Sequence, residues 1–163
     1  NCSFYSGTKA LGEEVLADST NCYIWRLRIP FNNVDGPRNY LSKLLRYSTL
    51  LDVVNSLCCI DDFVNACIDC VERKLPLGTY NLTNAGSIST HEVAELLRPL
   101  VNHQKQFHYF ESEDDFMKHA ARSPRSSCVL DNSKAVSFGL SLPNVVTSIR
   151  QSVESWIPEN ALS

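Results

Sequence analysis

The sequence has no run of Lys or Arg and carries a formal net charge of −3 over 163 residues. It therefore lacks the basic stripe that holds nucleic acid or an anionic membrane surface. It nowhere approaches the roughly 18 to 20 consecutive apolar residues of a membrane span. The opening NCSFYSGTKALGEE also lacks the charged-then-apolar profile of a signal peptide. These absences point to a cytoplasmic protein with neither nucleic acid nor membrane as partner. Glycine is scarce where a phosphate-cradling turn would need it: the nearest candidate, Gly7 to Gly12, has the wrong spacing and lies inside a helical pattern. Histidine is sparse and scattered at His91, His103, His108 and His119, and none is assigned to chemistry. The chain opens on Asn1 rather than Met, with a helical pattern already starting at Phe4-Tyr5, so the native polypeptide is expected to begin upstream.

What is present is ordinary for one globular domain, with 44% hydrophobic and 20% charged residues. The seven cysteines are an odd number, and Cys58-Cys59 with Cys67-Ile68-Asp69-Cys70 resembles a metal cluster at first sight. Residues 60–74 are helically periodic, however, and neither a second CxxC nor a paired His follows. The cysteines are read as buried free thiols in a reducing compartment, with no metal site.

Ser3 is the expected cap of a first helix running to about residue 17, with Leu11, Val15 and Leu16 at helical steps. Residues 21–30 then read as a buried strand closed by Pro30. Asn-Asn, Asp-Gly and Pro make residues 32–38 a loop, after which Asn39 caps a helix over 40–47. A short strand at 50–54 leads to the helix at 60–74, where Asp61-Asp62 serve as cap and dipole partner rather than as an acid/base dyad. A strand follows at 77–82. Ser89-Thr90-His91-Glu92 offers a capping box for a helix to about Leu100. Residues 106–110 read as a strand, and 114–119, 132–138 and 145–157 as helices. Strands alternating with helices predict an α/β protein with parallel crossovers, but with too few strands for a full sheet.

Tyr5 and Lys9 stand at i and i+4, on one helix face. A phenol titrates near 10 and is a poor proton shuttle until a neighbouring cation favours its phenolate. Such a Tyr donates a proton to a carbonyl oxygen as hydride arrives, and the Lys can also bond ribose hydroxyls.

Tyr5-Ser6-Gly7-Thr8-Lys9, followed by Glu13-Glu14 and a strand, resembles the YxxxK helix of the short-chain dehydrogenase/reductases. Four further stretches continue the resemblance in order along the chain: Leu27-Arg28-Ile29-Pro30; Asp35-Gly36-Pro37-Arg38-Asn39-Tyr40 with Lys43; Gly78-Thr79-Tyr80-Asn81-Leu82-Thr83-Asn84; and Pro124-Arg125-Ser126-Ser127 with Leu130-Asp131-Asn132-Ser133-Lys134. Together they are similar to the dTDP-4-dehydrorhamnose reductase branch, most of all to the nucleotide-rhamnose synthase/epimerase-reductases. The implied fold is the C-terminal part of a Rossmann-like doubly wound parallel sheet plus the small substrate-binding region, over residues 1–163, without the dinucleotide-binding half. The implied reaction is hydride transfer from NADPH or NADH to the C4 ketone of a nucleotide-linked 6-deoxyhexulose. In it Tyr5 protonates the oxygen, Lys9 holds the nicotinamide ribose and tunes Tyr5, and Pro30 lies against the nicotinamide. Arg38, Asn39, Lys43 and Arg125 are the candidates for the nucleotide diphosphate and sugar, a role suited to cations.

Arg38 and Lys43 stand equally well as solvated charges, and Arg26 is expected to pair with a carboxylate at the strand edge. The Gly-rich turn and the Ser/Thr partner of the Tyr are absent from the sequence, so the isolated chain is expected to bind dinucleotide weakly or not at all. A non-catalytic regulatory subunit, like the beta subunit of methionine adenosyltransferase, and a nucleotide-sugar epimerase or dehydratase remain as alternatives. A homodimer remains open.

Overall fold

A computed structural model describes residues 4–120 and 127–161. Ser3 and Pro124-Arg125-Ser126 lie outside the described residues. Helix α1 (Phe4–Val15) buries none of its residues. Its Glu13 carboxylate accepts the Nε–H of Arg26 at 2.9 Å and also a bond from Nη2 of the same guanidinium, which is the pairing expected for Arg26.

The strand expected over 21–30 is divided. Strand β1 (Tyr23–Arg26) ends early, Ile29 takes a φ of 42°, and β2 (Pro30–Phe31) begins. Pro30 thus opens a strand instead of closing one, a position where its missing N–H is tolerated. Helix α2 (Tyr40–Arg46) starts as expected at Asn39, whose side-chain oxygen accepts the Leu41 N–H at 3.1 Å. The strand expected over 50–54 resolves into β3 (Thr49–Leu50) and β4 (Val54–Asn55), followed by β5 (Cys58–Cys59). Two-residue pairings are too short to carry a period-2 pattern, so their partners, not their own sequence, define them.

Helix α3 (Ile60–Glu72) takes Asp61 and Asp62 into its first turn. It ends in a Schellman motif: the Leu75 N–H donates to the Cys70 oxygen at 3.0 Å and the Lys74 N–H to the Val71 oxygen at 3.1 Å, with Lys74 at φ 50°. Strand β6 (Gly78–Asn81) and strand β7 (Ile88–Ser89) precede α4 (Thr90–Leu96), which carries the expected capping box between Ser89 and Glu92. The helix then tightens into a 3-10 turn, Arg98–Leu100, at Pro99. Strand β8 (His108–Tyr109), helix α5 (Glu113–His119), helix α6 (Ser133–Ser137) and helix α7 (Val145–Glu154) complete the order.

The pairs β1·β6, β2·β5 and β3·β8 are parallel, and β4·β7 is antiparallel. Parallel neighbours require crossovers, and here helices supply them, as the alternating pattern predicts. Beyond the rung from Leu82 N–H to the Arg26 oxygen, at 2.8 Å, β1 and β6 part. Residues 57–59 enter the fork: the Cys58 N–H donates to the Ile29 oxygen at 3.3 Å, and the Leu57 oxygen accepts the Asn84 N–H at 3.0 Å.

Two apolar clusters hold these elements. The larger joins Phe31, Leu41, Leu57, Val93, Leu97 and Ile149, and the smaller joins Ala66, Cys70, Tyr80, Leu82 and Ala135. Tyr23 and Trp25 of β1 pack on the smaller cluster, and the Tyr23 hydroxyl donates to the Leu75 oxygen at 2.6 Å.

Candidate active site

Helix α1 places Tyr5 and Lys9 one turn apart on an exposed face, with Tyr5 70% exposed and the Lys9 ammonium 5.6 Å from its ring centre. The Thr8 hydroxyl donates to the Tyr5 carbonyl at 2.8 Å, tightening the turn between them. Gly7, inside the motif, faces open space, so it is not required by any close approach there.

Pro30, the first residue of β2, is exposed, immediately before the buried Phe31. Arg38 is exposed in the following loop and Lys43 is half-buried on α2. Lys43 lines a shallow hollow of about 270 Å³ with Pro37, Arg46, Tyr47 and Glu159. Arg46 there bonds Asp35 at 2.9 Å and Glu159 at 3.1 Å, so its charge is already matched. Asn39 is 8% exposed; its amide group donates to the Asn32 and Val34 carbonyls at 2.9 and 2.8 Å while its oxygen caps α2. Those bonds use the amide to hold the loop. Arg125 lies outside the described residues.

A polar hub stands beneath the fork; Asn84 and Asp62 belong to stretches the sequence marked, but their joining with Ser148 was not visible there. The Asn84 amide donates to Asp62 at 2.6 Å and to the Ser148 hydroxyl at 2.9 Å, Ser148 donates to Asp62 at 2.7 Å, and the Asn84 oxygen accepts the Cys59 N–H at 2.6 Å. One side chain thus ties β5, α3 and α7 together. The visible signal was a Thr-Asn pair following the buried Leu82, where polar residues survive only with partners. On the other side of the fork, Arg28 donates to the Asn55 side-chain oxygen at 2.9 Å, which also accepts the Cys128 N–H at 3.0 Å.

Cys58 and Cys67 are inert in this setting. Burial pushes Cys58 up to about 12 and Cys67 up to about 11, so neither is a thiolate near neutrality. Among the described residues no group of three His, Cys, Asp or Glu side chains is placed to hold a metal ion.

No protein-family profile matches the chain. An Arabidopsis thaliana bifunctional dTDP-4-dehydrorhamnose 3,5-epimerase/dTDP-4-dehydrorhamnose reductase is 35% identical over 133 residues, which is 81% of this chain and 43% of that protein. The crystal structure of the L780 UDP-rhamnose synthase from Acanthamoeba polyphaga mimivirus superposes with a TM-score of 0.83 at 26% identity, over 93% of this chain and 52% of that one. The dTDP-4-dehydrorhamnose reductase of Bacillus anthracis, solved with NADP, gives 0.69 at 19% identity over 93% of this chain and 54% of that one. The chain thus spans about half the length of each. By sequence and by fold, the chain belongs with the reductase parts of the UDP- and dTDP-rhamnose synthases and shares their Rossmann-like architecture.

Proposed function

We propose that this chain supplies the catalytic helix and the substrate-binding region of an NAD(P)H-dependent reductase acting on the C4 ketone of a nucleotide-linked 4-keto-6-deoxyhexose. The observation that carries the reading is the Tyr5–Lys9 pair, one turn apart on an open face of α1, the helix that precedes β1, beyond which lie Pro30 and the loop bearing Arg38. The residues present fit a nicotinamide: an exposed phenol, an ammonium beside it and an exposed proline. When bound, the reduced nicotinamide supplies the hydride that goes to C4. Tyr5 gives its hydroxyl proton to the ketone oxygen, so hydride and proton together make the alcohol. Lys9 stabilises the phenolate left on Tyr5 and bonds the ribose hydroxyls. Arg38, Lys43 and Arg125 are the cations that would pair with the anionic diphosphate and sugar, and Asn39 acts by holding the loop that carries Arg38.

The same reading explains which surfaces are left bare. Phe4, Leu11 and Val15 on α1 are 89%, 59% and 82% exposed, and Ile60, Val64, Ile68 and Val71 form a stripe along α3. Among the described residues β1 pairs with β6 alone, so one edge has unpaired backbone groups. A dinucleotide-binding portion of the same polypeptide covers these faces and adds strands beside β1. The setting is cytoplasmic, where thiols stay reduced; among the described residues no helix is long and apolar enough to cross a membrane. Sedimentation of the full-length protein tests the homodimer.

The deciding experiment is Tyr5→Phe in the full-length protein. Turnover of the 4-keto sugar should fall by at least about a hundredfold, as expected for removing a general acid, while the dissociation constant for NADPH stays within a factor of about two. Parallel loss of binding and turnover would sink the proton-donor role.

A further inference from the structure

Ile29 is an unexpected residue for its backbone. At φ 42° its Cβ crowds the following carbonyl, and a β-branched side chain in that region is a genuine outlier. Among the described residues Lys74 is the other non-glycine with positive φ, and its helix-terminating motif accounts for it. Ile29 ends no helix. It stands where β1 leaves β6 and residues 57–59 enter the fork.

Two anchors hold it there. Its side chain packs against the larger apolar cluster, and its carbonyl accepts the Cys58 N–H at 3.3 Å. On either side, Arg28 is held by Asn55 and Pro30 is exposed. In open α/β sheets ligands lie in the crevice outside the carboxyl ends of the strands, where neighbouring strands part. Strain that survives at such a place, held by its surroundings, points to a positional requirement.

We propose that Ile29 is a positioning residue for the reaction: its left-handed turn, pinned by the half-buried side chain packed on the larger cluster, sets how residues 28–30 face the reaction crevice. The inference rests on the reductase reading above. Glycine or asparagine gives up the anchor yet adopts this turn readily, whereas alanine gives up the anchor and meets the same clash as Ile. Activity should therefore follow the ability to hold the turn and not the volume of the side chain.

The test compares Ile29→Gly, Ile29→Asn and Ile29→Ala in the full-length protein. The rate of NADPH-dependent reduction is measured at a temperature where circular dichroism shows each variant fully folded. In Ile29→Ala kcat should fall about tenfold or more, the scale of a misplaced reacting group. The Gly and Asn variants should stay within about threefold of the parent because their backbones keep the turn, and KM for NADPH should be the same in all three. Equal kcat across the three folded variants, or Ala matching or exceeding Gly, would overturn the inference and leave Ile29 as core filling. If the parent protein does not reduce the sugar, the functional reading falls instead. The strained turn is read separately by thermal unfolding, where Ile29→Gly must melt above Ile29→Ala and the reverse order refutes it.

Discussion

Helices α1 and α7 are of similar length, 12 and 10 residues, yet one buries nothing and the other buries Val145, Ser148, Ile149 and Ser152. Helix α7 lies against β5 and α4, at the centre of the larger cluster. The other helix is tied to the fold by an exposed Glu13–Arg26 contact. An amphipathic pattern therefore states what a helix can cover, not what covers it. In this chain the well-packed half is the one with the Arg38 loop and the fork, while the helix with the Tyr–Lys pair buries none of its residues.

The strongest way to break that contrast is to truncate one apolar residue on each side of it. Ile149→Ala should cost about 2–5 kcal/mol in any version of the protein, because it empties a site that is 0% exposed. Leu11→Ala should cost under about 0.5 kcal/mol in the 163-residue chain, as for an exposed position. In the full-length protein the same change should cost about 2–5 kcal/mol if another portion buries α1. Denaturant unfolding of the four samples reads all of this. Equal small costs for Leu11→Ala in both lengths would mean that α1 stays bare and that its apolar face has another purpose.

The polar hub offers the next largest effect. Asn84→Ala removes the donor to Asp62 and Ser148 and strands the Cys59 N–H, with a loss of about 1–3 kcal/mol for the unsatisfied groups. Because the hub joins β5 to α3 and α7, amide exchange should quicken at Cys58 and Cys59 more than in α1. Uniform quickening would show that Asn84 contributes to global stability and not to the fork.

The sequence made some of this legible and not the rest, for physical reasons. Caps are local chemistry, so Asn39 and the Ser89–Glu92 box were visible as helix starts. The Tyr5–Lys9 pair was visible because helical spacing alone brings i and i+4 together. Asn39 was also read as a sugar or diphosphate ligand, and nothing in its identity revealed that its amide would be occupied by Asn32 and Val34. The two-residue strands were hidden because each is defined by a partner far along the chain, as with Phe31 and Cys59. Ile29 was the least legible of all: isoleucine signals extended strand, yet its backbone turns left-handed where residues 57–59 enter beside it.

The smallest effect concerns the tether of α1. A hydrogen bond from the Arg26 guanidinium, followed by its charge, holds the Glu13 carboxyl below its ordinary value of 4.5. A depressed carboxylate contributes stability that is present above its unfolded pKa and lost as pH falls through the folded one. Both side chains are well exposed, at 33% and 47%, so screening limits the pair to under about 1 kcal/mol. Amide exchange in the 163-residue chain should quicken in α1 as pH drops from about 5 to 3, relative to the intrinsic rate, while α7 stays protected. Glu13→Gln should quicken α1 modestly at neutral pH and flatten that dependence. If the variant keeps the parent's pH profile, the ion pair is not the tether, and the position of α1 before any partner arrives must be set by the turn into β1.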